Sequence, residues 1–121
     1  MSKTILIVED DAMQMKLVHD LLEKAGYETF QSADGLDTLT LAETHLPDLI
    51  IMDLKLPEAS GLDYTRQLKA DVHLKGIPVV AITGFPVYGG ANSIEDAGCE
   101  GCLAKPISAP TLYEAVEKYI N

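Results

Sequence analysis

Acidic side chains follow apolar stretches at two distant places in this chain. Glu9, Asp10 and Asp11 come directly after Ile5-Leu6-Ile7-Val8, and Asp53 comes directly after Leu49-Ile50-Ile51-Met52. Thr83 follows Val79-Val80-Ala81-Ile82 in the same way, and Lys105, then Pro106, follow Cys102-Leu103-Ala104. Carboxylates brought together from such segments repel, and some of them take up protons unless a cation intervenes. A hard divalent ion with oxygen ligands resolves that conflict. Mg²⁺ suits it best, because it takes one or two carboxylates, keeps several waters and shares phosphate oxygens. Thr83 can then hydrogen-bond a phosphoryl oxygen, Lys105 can pair with another, and Asp53 is placed as a nucleophile toward phosphorus. Taken singly, each acid reads as a strand-end or capping residue, and either Asp10 or Asp11 could cap a following helix. Their recurrence after separate apolar runs sets the group apart.

The elements that must position these residues are legible in the hydrophobic pattern. The first three apolar runs are continuous rather than alternating, as in strands of a parallel sheet buried on both faces. Tyr27-Glu28-Thr29-Phe30-Gln31 alternates instead, which predicts a less buried strand near an edge. Between the runs, Met13, Leu17, Val18, Leu21, Leu22 and Ala25 recur at helical spacing, with Gly26 where a C-terminal cap belongs. Leu36, Leu39 and Ala42 mark a second helix with Asp34 as N-cap, and Leu62, Thr65 and Leu68 a third after Gly61. Around Pro86–Gly98 only Ala91–Ala97 has helical character, which predicts a short fourth helix. Leu112, Ala115, Val116, Tyr119 and Ile120 mark the last, with Ser108 as N-cap and Pro110 in its first turn. Alternating strands and helices imply one doubly wound α/β domain with right-handed crossovers, a (βα)₅ unit. Each chemistry-bearing residue then lies at the carboxyl edge of the sheet, where open α/β sheets hold their ligands.

Composition narrows the function classes. The 121 residues suit one domain, and a hydrophobic share of 47% is enough for a core without disulfides. Nine basic residues stand against 19 acidic ones, a net charge of −10, which excludes general binding to phosphate backbones. No apolar run approaches membrane-spanning length and no export signal is visible, so the expectation is a cytoplasmic protein with reduced cysteines.

The stretches ILIVEDD, PDLIIMDLKLPEASGL, IPVVAIT and AKPIS span almost the whole chain and resemble the response-regulator receiver domains of two-component signalling, the CheY-like family. The resemblance implies a flavodoxin-like five-stranded parallel sheet of order 2-1-3-4-5. Carried over by position, it implies that Glu9 and Asp10 are the acidic metal pair and Asp53 the phosphorylated aspartate. Lys55 then offers its backbone carbonyl to the metal, Thr83 is the switch hydroxyl, and Lys105 is the invariant lysine. Pro57 and Gly61 match the loop after the acceptor, and a cis Lys105-Pro106 bond is expected. Within the family, MKLVHDLLEKAGYET, MDLKLPEASGL and GCEGCLAKPIS look like DivK-type single-domain regulators of cell-cycle control. That likeness implies a receiver over residues 1–121 with no output domain. Its partners would be a sensor histidine kinase or histidine phosphotransfer protein and a downstream protein target, with neither nucleic acid nor membrane.

Several residues depart from the family pattern or stand outside it. Receivers usually carry an aromatic residue three positions before the lysine, and here that position is Cys102. Phe85 or Tyr88 are candidates to replace it, and ordering of the Phe85–Ala97 segment is a candidate response to phosphorylation. Cys99 and Cys102 form a C-x-x-C with no second pair, so burial in the core is the expected role rather than zinc binding or redox chemistry. Lys55 and Phe85 flank the expected mouth of the site, where Lys55→Ala is expected to change phosphate lifetime. Met15 and Leu22, at the margin of the first helix's apolar arc, are candidates for a donor-docking surface. Two other classes compete with this reading. A pseudo-receiver would keep the fold as a phosphorylation-independent interaction module. An Asp-x-Asp phosphatase is excluded because Lys55 stands where its general acid belongs.

Overall fold

The computed structural model describes residues 2–57, 59–84 and 94–120. Five strands alternate with five helices: β1 Thr4–Val8, α1 Ala12–Lys24, β2 Glu28–Ser32, α2 Thr38–His45, β3 Leu49–Asp53, α3 Gly61–Ala70, β4 Val79–Thr83, α4 Ile94–Ala97, β5 Gly101–Ala104 and α5 Ala109–Ile120. All strand pairings are parallel and the sheet order is β2-β1-β3-β4-β5. This is the 2-1-3-4-5 order implied by the resemblance.

Successive strand residues point to opposite faces, and both faces are covered. Ile5, Ile7, Leu49, Ile51, Val80 and Ile82 pack with Val18 and Leu22 of α1 and Leu112 and Val116 of α5. Leu6, Val8, Ile50, Met52, Val79 and Ala81 pack with Ala42 of α2, Leu62 and Leu68 of α3, and Ile94 of α4. Strand β2 lies at the edge and is the least buried of the first four, as its alternation predicted.

The structure revises three local readings. The core stripe of α1 is Met15, Val18 and Leu22, whereas Met13 and Leu17 are 84% and 39% exposed. Positions 15, 18 and 22 fall within a narrow arc at 100° per residue, and 13 and 17 lie on the far side of the helix. The sequence carries two apolar stripes, and their spacing alone did not say which faces the sheet. Helix α2 starts later than expected. Asp34 accepts a hydrogen bond from the Leu36 N–H in a turn rather than capping a helix, and Leu36 is exposed. The helix begins at Thr38 after Asp37, and it ends at Leu46 in a left-handed conformation (φ 44°) with no glycine to announce it. Of the two thiols only Cys99 is buried; Cys102 is exposed on the edge strand β5. The expectations for Phe85 and Tyr88 lie outside the described residues, as does residues 85–93 of the Phe85–Ala97 segment; its described end is the short α4.

The amino-terminal edge of the sheet is tied by one polar cluster. The Lys69 ammonium donates to the carbonyls of Lys75 (3.2 Å) and Ile77 (2.8 Å) and pairs with Glu100 Oε1 at 2.5 Å. Glu100 Oε2 in turn accepts from the Val79 N–H at 2.7 Å. One lysine thereby links the end of α3, the loop into β4 and the approach to β5.

Candidate functional site

At the opposite edge of the sheet, the chain leaves each strand with a functional side chain. Strand β1 ends at Val8, and Glu9 stays in register because its N–H donates to the Ser32 carbonyl at 3.0 Å. Asp11 Oδ1 accepts from the N–H groups of Met13 (2.9 Å) and Gln14 (3.1 Å), so Asp11 is the N-cap of α1. That decides between the two aspartates: Asp11 caps, and Asp10 projects from the surface. Glu9, Asp10 and Asp53 each bring a carboxylate oxygen within 4.8 Å of the others. Glu9 and Asp53 are 1% exposed, and Asp10 is exposed.

The charge balance of this cluster is unfavourable on its own. Glu9 Oε2 accepts from the Asp11 N–H at 3.2 Å, whereas Oε1 is buried with no partner among the described residues. Burial pushes the Glu9 carboxyl up to about 8, and the neighbouring Asp53 carboxylate adds to the effect. A buried acceptor without a donor costs about 1–3 kcal/mol. A hard cation held by Glu9, Asp10 and Asp53 would satisfy that oxygen and offset the repulsion, so the donor set fits Mg²⁺.

The cationic side of the site is built around Asp53. Lys105 Nζ lies 3.3 Å from Asp53 Oδ1, and the Lys55 N–H donates to the same oxygen at 3.1 Å. The Lys105 N–H donates to the Thr83 carbonyl at 2.9 Å, which brings the lysine and the hydroxyl residue to one place, and the Lys105-Pro106 bond is cis as expected. A cavity of about 400 Å³ opens among Asp53, Ser60, Thr83 and Lys105. A second, of about 360 Å³, lies over Asp10, Asp53, Lys55 and Pro57. All six residues read as site residues therefore meet: Glu9, Asp10, Asp53, Lys55, Thr83 and Lys105. For Lys55 the observed contact is through its backbone N–H.

Ser60 is a site residue that the sequence reading did not single out. It caps α3, accepting from the Leu62 N–H at 3.1 Å while Asp63 Oδ2 accepts from the Ser60 N–H at 3.3 Å. The signal was present as Ser-x-x-Asp ahead of an apolar helix, a capping box. Two other expectations move. Met15 and Leu22 are buried in the core and offer no docking surface. The exposed stripe is Met13 and Leu17, which line a cavity with Asp11, Gln14 and Lys105 beside the site.

Comparison with known proteins agrees with this geometry. Residues 5–117 match the family model of the response regulator receiver domain. The chain is 48% identical to the polar-differentiation response regulator DivK of Brucella ovis, over 100% of this chain and 98% of that protein. The Brucella anthropi DivK matches with the same identity and coverage. Among solved structures, the chemotaxis protein CheY4 of Vibrio cholerae superposes with a TM-score of 0.92 at 25% identity, covering 98% of this chain and 99% of that one. The receiver domain of a sensor histidine kinase from Pseudomonas aeruginosa, solved with a magnesium ion coordinated in its active-site cleft, gives a TM-score of 0.90 at 29% identity, covering 99% and 98%. A sheet of this order, acids gathered at its carboxyl edge and a match over nearly the full chain lead to one assignment: the chain belongs to the response regulator receiver domain family, and within it is similar to the DivK regulators.

Proposed function

We propose that this protein is a stand-alone phospho-acceptor switch of a two-component phosphorelay, taking a phosphoryl group from a phosphohistidine onto Asp53. The observation that carries the reading is the buried Asp53 carboxylate, flanked by Glu9 and Asp10 on one side and by Lys105 at 3.3 Å on the other. Glu9, Asp10, Asp53 and the Lys55 carbonyl would hold Mg²⁺, which supplies charge neutralisation for the incoming phosphoryl oxygens. The remaining work belongs to this chain's own groups. A carboxylate oxygen of Asp53 bonds to phosphorus as the phosphorus–nitrogen bond of the donor breaks, and the imidazole leaves with that electron pair. The Lys55 N–H and Lys105 orient the Asp53 carboxylate, Lys105 pairs with a phosphoryl oxygen, and the Thr83 hydroxyl hydrogen-bonds another. The Lys55 side chain sits at the mouth and sets access of the water that hydrolyses the acyl phosphate.

The donor is a histidine kinase or histidine phosphotransfer protein, and the exposed Met13 and Leu17 beside Asp11 and Lys105 form its landing surface. A downstream protein reads the phosphorylated state. A role in polar or cell-cycle control is supported by the polar-differentiation name of the 48%-identical relatives. A cytoplasmic location accords with such partners, and among the described residues no helix is long and apolar enough to cross a membrane.

Labelling with radioactive acetyl phosphate, with and without Mg²⁺, tests the reading on wild type and Asp53→Asn. Label that requires both the metal and Asp53 is the expected result. Label retained in Asp53→Asn, or none in wild type, refutes it; the latter favours a pseudo-receiver that works as a phosphorylation-independent module.

A further inference from the structure

The loop that carries the acceptor is closed on itself by the start of α3. The Leu54 carbonyl, next to Asp53, accepts from the Gly61 N–H at 3.0 Å and, at a longer 3.5 Å, from the Ser60 hydroxyl. Lys55 and Ser60 face each other in a one-residue antiparallel pairing across this loop. The Leu54 N–H is held by the Ile82 carbonyl at 3.0 Å, so the loop is pinned to β4 at one end and to α3 at the other. Ser60 itself is fixed by the reciprocal capping bonds with Leu62 and Asp63, and it lines the cavity that contains Asp53, Thr83 and Lys105.

We infer that Ser60 is a positioning residue for Asp53, acting through the Leu54 carbonyl and the Lys55 amide. It rests on the reading of Asp53 as acceptor. Its physical content is separate: the cap of α3 fixes the peptide whose N–H aims Asp53 Oδ1. A carboxylate rotates freely about its terminal torsion unless a donor holds one oxygen. Lys105 is a flexible ammonium, while the Lys55 N–H is part of the backbone, so the backbone donor sets the direction. Removing the cap loosens α3's first turn and the loop closed onto it, and the Lys55 N–H loses its fixed aim.

The test uses the full chain with Ser60→Ala, Ser60→Asn and a distant core variant, Leu112→Val. Two readouts are taken: the maximal rate of acetyl phosphate labelling at saturating Mg²⁺, and hydrogen exchange of the Lys55 amide without donor or metal. Ser60→Ala is expected to slow maximal labelling and to speed Lys55 exchange, each by about 3–10-fold, as expected from loss of a helix cap. Ser60→Asn restores a capping oxygen and is expected to recover most of both. Leu112→Val lowers stability from the other side of the sheet and is expected to leave both readouts at wild-type values. Ser60→Ala with either readout unmoved overturns the inference. So does Leu112→Val slowed as much as Ser60→Ala, because general destabilisation then suffices. If wild type takes no label, the reading of Asp53 as acceptor falls, and the exchange rate alone decides whether Ser60 holds the Lys55 amide.

Discussion

Gly61→Ala probes how closely α3 is pressed against the acceptor strand. An added Cβ would stand 2.9 Å from Leu54 Cα and 3.0 Å from the Asp53 carbonyl carbon, and would overlap the Asp53 carbonyl oxygen. Carbon atoms rest at about 3.5–4.0 Å, so backbone must yield by about 0.5–1 Å. All three neighbours are main-chain atoms of Asp53 or Leu54, and no flexible side chain can absorb the displacement. Overpacking of this kind costs about 1–3 kcal/mol. Alanine returns about 0.4–1 kcal/mol through its smaller unfolded-state entropy. The net expectation is a loss of about 1–2 kcal/mol, read as a lower urea midpoint with an unchanged slope. The larger effect is chemical, because the atoms that must move belong to the acceptor. A misplacement of about 1 Å can cost about 100-fold in rate, so labelling is expected to fall by about 10–100-fold in folded protein. Gly76→Ala is the control: among the described residues, nothing beyond its chain neighbours lies within 4 Å of the added Cβ, and stability is expected to hold or rise slightly. A Gly61→Ala protein as stable and as reactive as wild type would refute the argument that this contact sets the acceptor's position.

The Glu9 carboxyl is raised by burial to about 8 when folded, against an ordinary value of 4.5. Between those values the folded state binds more protons than the unfolded state, so this group's contribution lowers stability as pH rises from 4.5 toward 8. In chelator-treated protein the urea midpoint is expected to fall across that window, and Glu9→Gln or added Mg²⁺ to flatten the fall; a slope identical in all three samples contradicts it. Thiol reagents at pH 8 are expected to modify Cys102 first, because Cys99 is buried, hydrogen-bonded to Thr65 and pushed up to about 11 by desolvation. Peptide mapping that finds Cys99 modified first counts against this. Leu22→Ala removes a fully buried side chain under β1 and β3 and is expected to cost about 2–5 kcal/mol by urea titration, whereas Leu17→Ala stays within about 1 kcal/mol. Equal losses would return Leu17 to the core stripe.

The sheet and the residues at its carboxyl edge were readable because burial on both faces writes itself as unbroken apolar runs. The end of each run then locates the next functional side chain, as at Val8–Glu9 and Met52–Asp53. Helix orientation was harder to read. Met13 and Leu17 have the spacing of core residues, yet Met15 and Leu22 occupy the core, since a helix with two apolar stripes does not declare which meets the sheet. The start of α2 was displaced because Asp34 carries the chemistry of a cap and uses it in a turn instead. Ser60 was hidden by its ordinary role: a serine before a helix is a cap wherever it occurs, and only the folded loop brings it beside Asp53.

The lysine cluster at the far edge of the sheet bears on how such a chain can diverge. Lys69, Glu100 and the carbonyls of Lys75 and Ile77 fasten the end remote from Asp53. Gly98 is pressed against the same lysine, since a Cβ there would meet Lys69 Cγ at 2.8 Å. Substitutions on that rim register chiefly as lost thermal resistance. The rim bearing Asp53 lies apart from this fastening, so exposed side chains there, such as Met13 and Leu17, can change without loosening it.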